Sequence, residues 1–324
     1  MPYPRQETVQ KALEAQTRKD MRGMENAALS AFGYKWGEAK GRLKANIIAQ
    51  HGGKSWTLAK AKQKGLQSAL NRAIDAEIVR FKTEALPVMR DGLKTNYRGE
   101  LLRQAWMLDV LTPPNVHPKI KIHPHYREAV SIYSGRNAAL AWNNRFSAWT
   151  DAWATVLKTN LSLEIMHSGS ATDFSKEVDA SKVGSPAFDA WDIFKNIMLT
   201  EILSSQSEAR VDFSKKNGGM IYDEVWTTMD DERVCEICGP LDGVSMSKVN
   251  EFQPAHPRCR CYRRVVPKAW ADLADRDLAN EMDRRGLVPD AMVIRGENGI
   301  IKGAAIVTFD KWVESQPQLI TSGM

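Results

Sequence analysis

A mainly α-helical chain, with a helical N-terminal region leading into a small α+β C-terminal domain, is the fold class the sequence predicts. Three observations predict it. Good helix formers dominate the first hundred residues. Large apolar side chains recur at helical steps further along. All four cysteines fall between positions 235 and 261, flanked by two short runs rich in Val, Tyr, Trp and Thr that read as strands. With 324 residues, 43% of them hydrophobic, the chain can bury the core of one large or two ordinary domains. No run approaches the roughly 18 apolar residues of a membrane span, so no membrane segment is expected. Met1-Pro2-Tyr3-Pro4-Arg5 lacks the apolar centre of a secretory signal. Synthesis is expected in a cytoplasm.

The first segment, 1–112, reads as a basic helical arm or domain, partly extended. Thr8 to Leu29 is rich in Ala, Lys, Glu, Arg and Met, and Leu66, Leu70, Ile74, Ile78 and Phe81 follow helical spacing. Gly33, Gly37 and Gly41 are expected to loosen or interrupt a helix, at about 1 kcal/mol each relative to Ala. In a membrane that spacing marks close helix contact, a setting excluded here by the intervening lysines and Glu38. The net charge of +6 is concentrated here: residues 1–100 hold 19 Lys/Arg against 10 Asp/Glu, and the remainder 26 against 29. Such an excess suits nucleic acid or an acidic protein, or is simply a solvated face.

A boundary follows at Thr112-Pro113-Pro114, reinforced by Pro118 and Pro124, because proline removes a backbone donor and displaces its predecessor from helical geometry. His117, His123 and His125 lie in this loop without a cysteine or acidic partner beside them, and read as surface rather than as metal ligands. The second segment, 113–184, adds an aromatic helix over Asn137–His167, where Trp142, Phe146, Trp149, Trp153 and Val156 share one face. That stripe reads as a core seam before it reads as a stacking platform for bases. Ser168 to Gly184 reads as a loop. The third segment, 185–267, begins with Ser185-Pro186 as N-cap and first helical position, continues through Trp191, Phe194, Met198, Glu201 and Leu203, and stops at Gly218-Gly219. Strands are expected over Ile221–Met229 and Cys261–Val266. The fourth segment, 268–324, is expected to hold a helix over Lys268–Arg285 and a strand over Ala304–Phe309 before Trp312.

The cysteines carry the chemistry. Cys235-x-x-Cys238 is a ready half-site for a tetrahedral ion, since such a turn aims two sulfurs at one point with backbone amides near the thiolates. His256, Cys259 and Cys261 offer the rest, one ligand more than a tetrahedron needs. Cys259 and Cys261 are two apart and share a face of an extended chain, while His256 paired with either one serves as well. Clustered thiols in a reducing compartment point to zinc before disulfides, and the bland alternatives are buried small hydrophobes or disulfides formed outside the cell. A structural ion is expected rather than a catalytic one, which would need an open position and a nearby base; Asp230, Asp231, Glu232 and Asp242 are the candidates for that base. Arg233, Arg258 and Arg260 suit phosphate, or ion pairs that pin the loop.

Thr200-Glu201 on a helix, Trp226, Asp231-x-Arg233, Cys235-x-x-Cys238, Leu241-Asp242-Gly243 and Pro254-x-His256-Pro257-x-Cys259-Arg260-Cys261 resemble, in order and spacing, the head-morphogenesis domain of the phage Mu F-like minor head proteins. The resemblance covers about 70 residues, from Asn196 to Val266. Phe309-Asp310-Lys311-Trp312 with Gln316-Pro317 resembles a C-terminal stretch of some members. The resemblance implies a non-enzymatic virion protein in the phage head, at the portal vertex. Its implied partners are the portal protein and the major capsid protein, with double-stranded DNA during packaging or ejection. The alternative function is a zinc-ribbon-like nucleic-acid-binding module, favoured by the basic N-terminal third and by Arg258, Arg260, Arg263 and Arg264. A metal-dependent hydrolase ranks third, for want of a second histidine beside His256.

Overall fold

The computed structural model describes residues 4–51, 56, 65–111, 120–122, 142–180, 190–229, 234–249, 255–256, 259–268, 295–296, 299–300 and 308–315. Among these, the elements in chain order are α1 (Pro4–His51), α2 (Leu66–Leu111), α3 (Trp142–Met166), α4 (Ala171–Ala180), α5 (Ala190–Asn217), β1 (Ile221–Thr227), β2 (Tyr262–Pro267), the two-residue strands β3 (Arg295–Gly296) and β4 (Gly299–Ile300), and α6 (Phe309–Glu314). The mainly helical fold with a small C-terminal sheet is as the sequence predicts. None of the described helices is long and apolar enough to cross a membrane.

The glycines do not interrupt the first helix. α1 runs unbroken through Gly33, Gly37 and Gly41, because the intrinsic cost of about 1 kcal/mol per glycine is small beside the burial of Phe32, Trp36, Ala39, Leu43 and Ile47 on one face. At Gly33 the missing side chain has a further reason: a Cβ there would come within 3.1 Å of the Trp191 ring. α2 likewise carries Pro87 on an exposed face, where water can take up the freed carbonyl.

The chain divides into two compact units, each discontinuous in sequence. One comprises Glu25–Leu93 and Tyr133–Glu201. Its core is aromatic: Phe32, Phe81, Phe146, Trp149, Trp153 and Phe194 are buried together, with Phe32 and Phe194 stacked and Trp191 stacked on Trp36. The α3 stripe is therefore core, and it continues through Leu157, Leu161 and Ile165 rather than through the half-buried Val156. Ser168–Gly184 is not all loop. Ser170 accepts from the Asp173 backbone N–H and donates to its carboxylate, capping α4, which buries Ala171, Phe174 and Val178.

The other unit comprises Met1–Met24, Lys94–Ile132 and Ile202–Met324. The start of α1 is thus no free arm: the Gln10 amide donates to the Val265 carbonyl of β2, and Glu14 pairs with Arg264. Apolar packing here gathers Leu13, Leu101, Trp106, Leu108, Phe213 and Trp312. Beside it lies a buried polar network that the sequence reading missed. Arg210 donates to Glu100 at 2.6 Å with both side chains almost wholly buried, Gln104 donates to the same carboxylate oxygen, and the Arg210 guanidinium lies over the Tyr262 ring. Its only signal was charge recurring inside the apolar pattern of α2, at Glu100 and Arg103 beside Leu101 and Trp106.

Phe309 opens a helix and does not end a strand. Thr308 caps α6 by accepting from the Lys311 N–H, and Trp312 Nε1 donates to Asp109 at 2.7 Å. Residues 269–285 of the expected helix, the cap at Ser185-Pro186, residues 304–307 of the expected strand, Gln316-Pro317 and the histidines at 117, 123 and 125 lie outside the described residues.

Candidate metal centre

β1 and β2 pair antiparallel, with Thr227 opposite Tyr262 and Trp226 opposite Arg263. This register sets the end of β1 beside the start of β2, and Cys259 and Cys261 immediately precede Tyr262. Val, Tyr and Trp favour the pairing, and Val225, Trp226 and Thr227 of β1 and Tyr262, Val265 and Pro267 of β2 are buried.

Two turns of the same form bring up the ligating groups. In the first, the Cys238 and Gly239 N–H groups donate to the Cys235 carbonyl at 3.1 and 2.9 Å, and Pro240 then supports a single 3₁₀ turn over Gly239–Leu241. In the second, the Cys259 N–H donates to the His256 carbonyl at 3.0 Å. Gly243 has φ of +76°, a conformation open to glycine, and this lets the chain fold back along β1. Its N–H donates to the Trp226 carbonyl, and Trp226 donates to Val244, both at 2.8 Å. Asp242 accepts from the Thr228 N–H at 2.7 Å. It thus fastens the loop, and the reading of Asp242 as a general base finds no support in that contact.

The five expected ligands fall into two groups that share Cys238. Cys235 Sγ and Cys238 Sγ lie 3.1 and 3.4 Å from His256 Nε2, and Cys238 Sγ lies 3.7 Å from Cys259 Sγ. Two triads, Cys235/Cys238/His256 and Cys238/Cys259/Cys261, each hold their ligand atoms within 4.8 Å of one another and can hold a metal ion. Trp226 is completely buried against Cys238, Cys259 and Cys261, with Val234, Leu241 and Met246 around them. All four cysteines are free thiols.

Packing thiols this closely splits their acidities. Burial, helped by the neighbouring Cys259 charge, pushes Cys238 up to about 12. A hydrogen bond from Cys261 brings Cys259 down to about 5 against the effect of burial, and the same bond together with burial holds the Cys261 proton firmly. Burial works against Cys235 ionising, but the backbone N–H groups of Cys238 and Ile237 outweigh it and leave the thiol below its ordinary value. Several thiolates can coexist here once a cation neutralises them, which is the chemistry a soft divalent ion supplies.

Arg263 pairs with Glu224 at 3.0 Å and Arg264 with Glu14 at 3.5 Å, and Arg260 is half-buried in the stretch between Cys259 and Cys261. Arg233 and Arg258 lie outside the described residues, as do Asp230, Asp231 and Glu232. Thr200 and Glu201 lie on α5 within the aromatic unit, where Glu201 is buried and pairs with Arg145. Comparison of the chain with protein-family profiles, with characterised proteins and with solved structures returns no match.

Proposed function

We propose that this chain is a minor head protein of a tailed bacteriophage, a structural component that docks at the portal vertex and carries a structural zinc ion. One observation carries the reading: Trp226, Cys235-x-x-Cys238, Leu241-Asp242-Gly243 and His256-x-x-Cys259-x-Cys261 occur in the order of the Mu F-like head-morphogenesis domain, and Trp226, Cys238, Cys259 and Cys261 are buried together with Cys235 and Leu241 packed against them. The ion's role is to clip two short strands and their loops, which have too little core to hold themselves. The partners are the portal protein and the major capsid protein, with contact to double-stranded DNA during packaging or ejection.

The nucleic-acid module ranks second. Arg263 and Arg264 are engaged by carboxylates, which leaves less basic surface beside the metal centre than the sequence implies. Co-expression with the portal protein of the same phage, followed by size-exclusion chromatography, tests the assignment. The proposal expects co-elution that persists at high salt and is lost in Cys235→Ser/Cys238→Ser. Salt-sensitive duplex DNA binding without portal association would favour the second reading.

A further inference from the structure

We propose that Cys238 and Cys259 join in a disulfide when the chain meets an oxidising small-molecule disulfide, and that Cys235 is the thiol through which the oxidation enters. The bond ties the turn that follows β1 to the turn that precedes β2, the same two segments a metal ion would clip. The chemistry stands on the thiols alone. Its setting rests on the virion reading, in which a chain folded in a reducing cytoplasm is later carried outside the cell.

Cys238 is the thiol common to both groups of ligating atoms, so its sulfur lies within 4.8 Å of those of Cys235, Cys259 and Cys261. Its separation from Cys259 Sγ is 3.7 Å, and reaching a disulfide length of about 2.05 Å asks for about 1.7 Å of closure. The two residues are 21 positions apart, and a cross-link that closes a long loop removes more freedom from the loosened chain than one that closes a short loop. The other pairings are poorer. Cys235–Cys238 closes only its own turn, beside the exposed Glu236 and Ile237, and exposed disulfides are the readily reduced ones. Cys259 and Cys261 on an extended chain have Cα atoms roughly 6.6 Å apart, near the upper edge of the roughly 4.4–6.8 Å that a disulfide accepts.

Burial accounts both for the entry point and for the durability of the product. Cys238 and Cys259 are each 1% exposed, so an oxidant does not reach them directly, while the half-buried Cys235 is open to one. The Cys235 thiolate attacks the small disulfide RSSR, which forms Cys235–S–SR and releases RSH. Cys238 then attacks the Cys235 sulfur and releases the second RSH. Cys259 attacks the Cys238 sulfur, forming the Cys238–Cys259 bond and returning Cys235 as a thiol. In each exchange the proton of the attacking sulfur ends on the departing one, so two protein thiols are oxidised and one RSSR is reduced to two RSH. An ion held by these sulfurs leaves, because two of its thiolates no longer carry charge.

The test uses full-length protein stripped of metal by a chelator, oxidised with glutathione disulfide, and blocked with iodoacetamide before digestion. Trypsin cuts after Arg233, Lys248, Arg258, Arg260 and Arg263, which leaves Cys235 and Cys238 on 234–248, Cys259 on 259–260 and Cys261 on 261–263. The expected product is 234–248 joined to 259–260, with fragmentation placing the blocking group on Cys235, and with 261–263 alkylated. Hydrogen exchange in 234–249 and 259–268 should then be slower than in the reduced, metal-free chain, and reduction should reverse the change. In Cys235→Ser the same product should form only as fast as the buried pair opens to solvent. A 234–248 peptide closed on itself as the end product, a link to 261–263, or four alkylated cysteines would overturn the pairing. An unchanged rate in Cys235→Ser would overturn the entry role. Zinc content of the reduced protein is measured separately, so the disulfide and the metal reading stand or fall independently.

Discussion

The two ends of α5 belong to different units and are built on different principles. From Trp191 to Met198 its buried side chains are Phe194 and Met198, with Trp191 half-buried, and they join an aromatic core. From Ile202 to Asn217 the same helix buries Ser204, Ser205, Gln206, Ser207, Arg210 and Asn217 alongside Leu203, Ala209 and Phe213. An aromatic core is held by area and ring contact, tolerates small shifts and specifies little. A buried polar seam demands that each group meet its partner, and so fixes register at the expense of stability. The unit that carries the candidate metal centre is the one with the polar seam, where a metal clip has most to add.

Substitutions can sharpen that contrast. The largest effects are expected from single truncations in either core. Trp153→Ala should destabilise the aromatic unit by about 3–5 kcal/mol, and Glu100→Leu, which strands the Arg210 guanidinium, should cost the other unit a similar amount, about 3–5 kcal/mol. Unit-resolved hydrogen exchange checks both. The difference lies in rescue: Glu100→Leu combined with Arg210→Met should recover part of the loss, as replacement of buried ionic partners by apolar groups often does, the remainder falling to Gln104 and Arg103, which also meet Glu100. Failure of the double variant to recover would show that the seam is needed for more than mutual neutralisation.

A smaller effect, about 1–3 kcal/mol, is expected for Trp312→Phe, which keeps the ring and removes the hydrogen bond to Asp109. A pH effect is expected at Glu208 of α5. Burial first, and then the Asp212 charge, raise its carboxyl to about 7, while Lys215 opposes them. A raised carboxyl contributes stability that is fully present below the unfolded value near 4.5 and is lost as pH rises through about 7. Glu208→Gln should therefore melt at a higher temperature than the wild type at pH 8, with the difference closing toward pH 4.5. An unchanged difference between pH 4.5 and 8 would mean that Glu208 titrates normally.

Legibility followed how local each determinant is. The aromatic stripe of α3 and the apolar steps of α2 could be read directly because they repeat at helical spacing, and so could β1 and β2 from their Val, Tyr and Trp content. The five candidate ligands could be picked out because spacing alone constrains two ligand pairs. α4 was missed although Ser170, Asp173 and Phe174 mark a capped, one-sided helix, since small polar residues suggest a loop when taken singly. The unbroken course of α1 depends on rings far along the chain, Trp191 at Gly33 above all, and no local reading contains them. The Glu100–Arg210 pair, 110 positions apart, and the discontinuous units are likewise products of tertiary packing.

The central claim is that a metal ion clips the β1–β2 region while the aromatic unit stands without it. Metal analysis of freshly reduced full-length protein, coupled to hydrogen exchange before and after chelation, tests it most directly. The account predicts close to one zinc per chain, with chelation raising exchange in 221–249 and 259–268 and leaving α3 and α4 protected. Metal-free protein with the same protection in both regions would contradict it.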